Sequence, residues 1–492
     1  MGLLSLFVFS PIVGLVLISL LSNNSSPKIV QRYALIGGFI PLIVSWIVYF
    51  IYQRNNRLAE NFSWFSYETD SRTLVIDYEL ELNGFRLALL LLTTLIVTLS
   101  ILASVKDIKK NPKLFYQWLF ILELGMLGVF ASDNMFLFFF FFELTLIPMF
   151  FLIGKWGHVE REETAYKYLI YNGLGSAVLL IAIVAVFIQA GNANFEAVKD
   201  YMSTMDDQAY QIGVIVAFLV AFGVKLPIVP LHSWMVNVHV YAPPAVVMIH
   251  AGVLLKIGAY GLLQFGAGMF PETFPLLAVT LAVLGLINLL YGAFLALIQD
   301  DLRKVFAYAS VSHMGIILLG IAGMNTAGYQ GAIFQTISHG LISALLFYLV
   351  GVLINRTSTT NLEKLGGLWT TAPVLSGFFL AAALAGLGLP GMSGFVSEFM
   401  AFLGVFENLP VFGAIGIIGI ILTAVYFLRA ILNISFGKRK GKALDKMTDL
   451  RNLELLPAGV LLAFIILIGV YPDSLGQLLQ ITLETFVAGM GG

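Results

Sequence analysis

The chain contains no cysteine among its 492 residues. Disulfides, thiolate zinc sites and cysteine-ligated iron-sulfur clusters are excluded, and the chain is expected to hold no redox centre or cofactor of its own. Charge is nearly as scarce, at 11 % of residues with a formal net charge of -1, against roughly 25 % charged residues in a soluble domain. No basic patch stands outside the loops, so nucleic acid is not an expected partner. Nucleotide signatures are missing too, with neither GxxxxGK[ST] nor GxGxxG after a strand. Energy for any transport must then come from an ion gradient or a partner. What the chain does hold is 59 % hydrophobic residues and a mean hydropathy of +0.92.

Such a composition predicts an all-α polytopic membrane protein, since a bilayer crossing needs about 20 apolar residues. Runs of that kind lie near 2–22, 30–52, 85–106, 114–130, 132–153, 164–190, 211–239, 244–268, 272–299, 303–323, 328–354, 373–405, 411–436 and 454–472. They give about 14 transmembrane helices, with 211–239 and 373–405 broken. The first run lacks a basic n-region and a small-residue cleavage site, and is expected to be a span and not a removed signal. Basic residues crowd alternate loops, among them Lys106, Lys109, Lys110, Arg303, Lys304, Arg356 and Lys438 to Lys446, while the other set holds only Arg54, Arg57, Arg72, Arg86 and Lys199. By the positive-inside rule the first set faces the cytoplasm and both termini lie outside it. The alternation TLVIDYELEL within 53–84 predicts a small extracytoplasmic β-ribbon, and 195–208 an interfacial helix.

Several runs carry groups that lipid does not tolerate. Lys225 and Lys256 sit in FGVKLPIVPLHSWMVNVHVYAPPAVVMIHAGVLLKIGAYGLLQF, beside prolines 227, 230, 243 and 244. A charge at the bilayer centre costs roughly 2.5 to 3.5 kcal/mol on insertion scales, so such residues point to a functional site. Snorkelling to the headgroups is the alternative, but apolar residues extend well to both sides of each lysine. Glu123 and Glu143 lie in FILELGML and FFFFFELTLIPMFFLIG, separated by an SDN turn (Ser132 to Asn134). In the second half, LAGLGLPGMSGFVSEFMAF breaks around Pro390 and resumes with Glu398 inside it. Paired breaks in corresponding halves predict an inverted repeat with its ion site at the interface between repeats. Between them fall His232, His239, His250, His313 and His339, the last forming a polar stripe with Ser338 and Ser343; histidine, with an ordinary pKa near 6.5, can relay a proton. At an effective dielectric of 20, a carboxylate about 10 Å away supports a charged lysine by roughly 1.7 kcal/mol. Glu143 and Lys225 are therefore expected to act as one electrostatic unit, with Lys225, Lys256 and Glu398 forming an in-plane line of titratable groups.

Five segments carry a resemblance that covers nearly the whole chain: FELTLIPMFFLIGKWG, KLPIVPLHSWM, AGVLLKIGAYGLL, YASVSHMG and LPGMSGFVSEF. In these the chain resembles the antiporter-like subunits of respiratory complex I, the proton-translocating NADH:quinone oxidoreductase, and among them the subunit M (mitochondrial subunit 4) branch. The resemblance implies fourteen helices with helices 4 to 8 and 9 to 13 as two inverted five-helix repeats, which divides the chain into 1–110, 111–270, 271–437 and 438–492. It also implies that Glu143 and Lys225 match the family's Glu/Lys pair, Lys256 its central lysine, His313 and His339 its connecting histidines, and Glu398 its terminal carboxylate. Glu123 and His232 complete the candidate set. Partners would be the L-type and N-type membrane subunits and the lipid bilayer, with NADH and quinone handled by other subunits, in a bacterial cell membrane. Subunits L and N usually carry lysine at the Glu398 position, and about twenty residues follow Pro472 where the L type continues into a long lateral helix. Membership of an Mrp-type cation/proton antiporter or a membrane-bound hydrogenase is the alternative reading, and a passive scaffold a third. Where the family usually reads Leu-Pro-Asp-Ala-His, this chain has Met235-Val236-Asn237-Val238-His239.

Overall fold

A computed structural model describes residues 2–55, 57–68, 73–440 and 447–488 of the chain; Arg72, Lys442 and Lys446 of the loop-charge pattern lie outside them. Lipid offers no partner to a backbone N–H, so each apolar run satisfies its own peptide groups as a helix. The short polar stretches between runs supply the caps that the first turn lacks. Asn134 thus accepts from the N–H groups of Phe136 and Leu137, Asn194 from Glu196 and Ala197, Asp301 from Arg303, and Asn325 from Gly328.

In chain order the helices are α1 (Leu3–Phe9), α2 (Pro11–Ser19), α3 (Pro27–Asn55), α4 (Gly84–Ser104), α5 (Pro112–Ala131), α6 (Met135–Trp156) and α7 (Arg161–Ala190). A short α8 (Phe195–Ser203), with Phe195, Val198 and Met202 turned inward, precedes α9 (Gln208–Lys225) and α10 (Ser233–Tyr241). Next come α11 (Pro244–Ala267), α12 (Ala278–Ile298), α13 (Leu302–Ala322) and α14 (Thr326–Thr357). The chain continues through α15 (Pro373–Gly386), α16 (Ser393–Asn408), α17 (Pro410–Ser435), α18 (Leu455–Val470) and α19 (Asp473–Ala488). Among the described residues, 12 helices are long and apolar enough to cross a membrane. The remaining two predicted spans are split. The run near 373–405 divides into α15 and α16 as expected, but the run near 2–22 also divides, because Pro11 starts a new helix. Two further features were not foreseen: the C-terminal helix α19, and a pair of π-helical turns, His250–Leu254 and Leu262–Ala267, on either side of Lys256 in α11.

Burial sorts the helices. In the most apolar window of α11 every residue is buried, and in α13 and α14 94 %, whereas in α3 and α17 the share is 33 %. The central three carry Lys256, His313 and His339; the outer helices keep their charged residues toward their ends, such as Lys28, Arg32 and Arg54 in α3 and Arg429 in α17, and are apolar between. Close helix contact inside the bundle depends on small residues. A Cβ at Gly258 of α11 would meet Leu226 N at 2.6 Å, so this glycine lets α11 press against the segment after Lys225.

One end of the bundle is closed by a hairpin of β1 (Leu58–Glu68) and β2 (Thr73–Leu82), pairing Leu58 with Leu82 and Phe62 with Tyr78. Leu80 and Leu82 face the core, and the Glu60 carboxylate caps α1 through Leu4 N at 2.5 Å and Ser5 Oγ at 2.6 Å. The predicted β-ribbon is therefore present. At the other end, Lys106 and Arg356 both bind Glu454 at 2.6 Å. Beside them Asp107 accepts a hydrogen bond from Asn355, and burial pushes its carboxyl up to about 6. A carboxyl raised above its unfolded value binds the proton more tightly when folded, so its contribution to stability is lost as pH rises from near 4 through 6. Asp107→Asn stays neutral throughout. Its melting temperature is expected to match the parent at pH 4 and below, to exceed it increasingly between pH 4 and 6, and to hold that margin up to pH 7.5, as measured by thermal shift of the solubilised protein.

Candidate functional site

Lys225 is the last residue of α9, and the prolines at 227 and 230 cannot continue the helix ladder. The freed backbone groups find partners on α12: Val229 N donates to Asn288 Oδ1 at 2.8 Å, and Asn288 Nδ2 donates to Pro227 O at 3.2 Å. Trp234 Nε1 donates to Val224 O at 3.1 Å and closes the break from the far side. Despite the missing proline, Met235 to His239 remain helical within α10.

Lys225 is buried, with Nζ 5.0 Å from the centre of the Phe142 ring and 5.7 Å from that of Tyr168. Aromatic faces partly replace its hydration shell. Glu143 is the neighbour of Phe142 in α6, and its field reaches both Lys225 and Tyr168. Its Oε1 is buried without a hydrogen-bond partner, and no ion pair within 4 Å joins it to Lys225 among the described residues. The unit is thus one of field across an aromatic gap and not of contact.

From Lys225 the polar path turns along α11. His250 lies in the first π-helical turn, within electrostatic reach of Lys225 and Lys256, 6.3 Å from the Tyr168 ring centre and bonded to His239 at 3.0 Å between Nδ1 and Nε2. Lys256 Nζ then meets His339 Nδ1 of α14 at 2.7 Å. At this separation and an effective dielectric of 20, two positive charges repel by roughly 6 kcal/mol. Lys256 and His339 therefore hold at most one excess proton between them and cannot both be charged. The rings of His339 and His313 have centroids 5.3 Å apart, and His313 Nδ1 lies 3.7 Å from Glu398 Oε1. Gln335 donates to His313 at 2.9 Å and accepts from Ser397, which fixes the imidazole beside the carboxylate.

Glu398 occupies the second half of the other break. Gly388 has φ 76°, a conformation that favours glycine, and a Cβ there would lie 2.6 Å from Glu398 Oε2 and displace the carboxylate from its place against the interrupted backbone. Each break thus has one ionisable residue beside it.

Of the predicted residues, the structure brings together Lys225, Lys256, His339, His313 and Glu398, with Glu143 alongside. Two stand apart. Glu123 in α5 is fully buried with neither carboxylate oxygen hydrogen-bonded, and His232 packs against Tyr291 at 5.2 Å between ring centroids, away from the lysines. Tyr168 and Gln335 were missed, because a tyrosine or glutamine in an apolar helix carries no signal until its neighbours are known. No group of three or more metal-ligating side chains occurs among the described residues.

An interrupted helix in each half, with a buried line of titratable groups joining the two breaks, defines a transporter-type integral membrane protein. The family model for NADH:quinone oxidoreductase/Mrp antiporter membrane subunits matches residues 132–423. The chain is 36 % identical over 496 residues to NAD(P)H-quinone oxidoreductase chain 4 2 of Thermosynechococcus vestitus, covering 97 % of this chain and 90 % of the relative. It is likewise 36 % identical to chain 4 of Prochlorococcus marinus, over 99 % of this chain and 91 % of that one. A chain in the structure of respiratory complex I from Thermus thermophilus with bound NADH superposes with a TM-score of 0.87 at 26 % identity, covering 99 % of this chain and all of that one. A chain of the Mrp complex from Dietzia shares the fold, with a TM-score of 0.85 at 20 % identity over the full length of both chains. This chain belongs to the NADH:quinone oxidoreductase/Mrp antiporter family, and the two relatives just named are chain 4 subunits.

Buried ionic groups that hold a fold and those that serve a site should separate on mutation. Lys256→Met keeps the length of the side chain but leaves the buried His339 Nδ1 unpaired, an expected cost of about 1 to 3 kcal/mol. Arg86→Met strands Asp133, to which Arg86 is bonded at 2.6 Å, at an expected cost of about 3 to 5 kcal/mol. Denaturation of the two solubilised variants measures the difference.

Proposed function

We propose that the chain is a proton-translocating membrane subunit of a multi-subunit NADH:quinone oxidoreductase, complex I, and that it couples quinone reduction elsewhere in the assembly to proton movement through its buried line. The observation that carries this reading is the continuity from Lys225 through His250, Lys256, His339 and His313 to Glu398, with a backbone break at each end. Homology to chain 4 subunits over 97 % of the chain supports it over the Mrp-type alternative. In this reading Glu143 and Lys225 form the loading pair, Lys256 the central site, and Glu398 the release carboxylate. Glu123 and His232 serve proton supply to the first break, off the main line. Residues 111–270 and 271–437 are the two inverted repeats. NADH and quinone belong to partner subunits, and the L-type and N-type membrane subunits are the neighbours in the bilayer.

The mechanism follows from the charges. A cation on Lys225 is supported by Glu143, so a change at Glu143 releases the proton toward His250 and Lys256. Because Lys256 and His339 cannot both be charged, a proton arriving at Lys256 drives one held on His339 onward to His313. An ionised Glu398 3.7 Å away attracts a charged His313 by roughly 4 to 5 kcal/mol at an effective dielectric of 20. The proton then leaves through Glu398 and the second break.

Glu143→Gln and Lys225→Ala are expected to lower proton uptake and NADH:quinone activity together, because a blocked pump step stalls the driving reaction. Lys225→Arg keeps a charge that cannot be released and should do the same, while Glu143→Asp should be mild. Measurements in membranes, normalised to assembled complex, decide this. Full activity in Lys225→Ala and Glu143→Gln would leave the passive scaffold as the better account. The protein is further assigned to a bacterial cell membrane with both termini and the β-hairpin extracytoplasmic. Single cysteines introduced in this cysteine-free chain test that orientation with an impermeant reagent in intact cells: position 66 should label and position 440 should not.

A further inference from the structure

On the hairpin side of Lys256 the protein contains a feature that the Lys225 to Glu398 line does not use. A cavity of about 370 Å³ opens between β2, α4, α8, α11 and α19. Glu81, Arg86 and Asp133 form its floor, with Arg57, Glu196 and Lys199 toward the mouth. Arg86 is buried and fully engaged: Nε donates to Tyr260 Oη at 2.9 Å, one terminal nitrogen to Glu81 O at 2.9 Å, and the other to Asp133 Oδ1 at 2.6 Å. Tyr260 and Gln264, the latter also in the cavity wall, follow Lys256 at i+4 and i+8 on α11, so all three lie on one side of the helix. About 6 Å of helix rise separates Lys256 from Tyr260. The cavity thus reaches Gln264, about two turns from the central lysine, and its floor touches the Tyr260 hydroxyl through Arg86. What stops it is aromatic: the rings of Phe85, Phe130 and Phe138 surround Tyr260 with centroids 5.6, 5.5 and 6.2 Å away.

We propose that this cavity is a second, gated proton port, exchanging protons between water on the hairpin side and Lys256 through the Tyr260 hydroxyl, with the aromatic collar and Arg86 holding it shut. The proposal rests on Lys256 carrying protons. When the collar parts and water enters, an N–H of the Lys256 ammonium breaks and a proton passes through that water to the Tyr260 oxygen. The hydroxyl's own O–H breaks in the same step, and that proton goes to a water in the cavity and then to a carboxylate at its floor. The lysine is left neutral and the tyrosine unchanged. In the closed state the guanidinium, held by Asp133 and the Glu81 carbonyl, pins the Tyr260 hydroxyl at the floor. Glu81 suits the role of acceptor, since burial and then the nearby Asp133 raise its affinity for a proton above the usual carboxylate range, against the opposing pull of Arg86 and Arg57. The π-helical turns flanking Lys256 supply the freedom to open: such turns sit mostly at functional sites and leave the helix ladder free to shift.

The test uses the whole complex in proteoliposomes, with an internal pH dye, a potassium diffusion potential and no electron donor. Phe130→Ala removes one wall of the collar and should raise passive proton flux at least threefold over the parent. Adding Tyr260→Phe, which keeps the ring and deletes the relay, should return the flux to the parental level, and so should adding Lys256→Met. Parental flux in assembled Phe130→Ala, or high flux that survives Lys256→Met, overturns the port. Should Phe130→Ala not assemble, Phe138→Leu takes its place with the same two second-site changes. Gln264→Cys adds an independent reading: an impermeant thiol reagent applied to the hairpin side should label it, and no labelling from that side overturns the port as well. Redox-driven pumping in the same vesicles keeps the two readings apart. Normal pumping by Lys256→Met would defeat the translocation line itself, whereas unchanged leak in the collar variants defeats only the port.

Discussion

Burying a charge in a medium that cannot solvate it is the constraint on which the remainder of this structure depends. Lys225, Lys256 and Glu398 are all buried, and each is met by something other than bulk water: ring faces and the field of Glu143, a hydrogen bond with His339, and His313 beside a glycine break. None of these is a tight ion pair. A tight pair would fix the charge state, because breaking a buried pair costs several kcal/mol. Partners that carry no fixed opposite charge at contact distance, 2.7 to 5 Å away, leave each group able to hold or release a proton as its neighbour changes.

The same constraint sorts the secondary structure. The lipid-facing helix α17 has no interior proline, because any freed backbone group there would go unpaired, and the one proline inside α3, Pro41, is turned to the buried side. Irregular backbone is confined to the interior. The break after Lys225 is stitched to α12 by Asn288, the break before Glu398 is packed by glycine, and the π-helical turns of α11 sit where every residue of the span is buried. Arg86 shows the contrasting use of charge. Its three hydrogen bonds join the hairpin, the turn between α5 and α6, and α11. It therefore locks the hairpin end of the bundle at the place where polar space comes nearest to Lys256.

Much was legible before any coordinates. Composition dictated a membrane protein, and prolines 227 and 230 with the glycines around Pro390 located both breaks to within a few residues. The SDN turn proved to be a helix start capped by Asn134, and TLVIDYELEL a strand. The cost of charge in lipid marked out Lys225, Lys256, Glu143 and Glu398 without knowledge of their partners. Local errors have local causes. Pro11 divided a run whose hydrophobicity looked continuous, and the π-helical turns escaped because a wider turn leaves no mark in an apolar pattern. The 16 residues of α19 have too few apolar positions for a span, so they carried no membrane signal.

The sequence by itself determined which side chains must be sheltered, since transfer free energy is a property of the residue and its immediate run. Only the tertiary structure decided who shelters them. Lys256 and His339 are 83 residues apart and Arg86 and Tyr260 are 174 apart. Periodicity tells which face of a helix is polar but not which other helix that face meets. That is why His250 could be named but not placed between two lysines, why Glu123 and His232 looked equal to the rest and stand off the line, and why Glu143 acts on Lys225 without touching it. In a bundle whose helices are all apolar, hydrophobicity does not select neighbours; close packing at small residues and the few polar contacts do, and both exist only once the chain is folded.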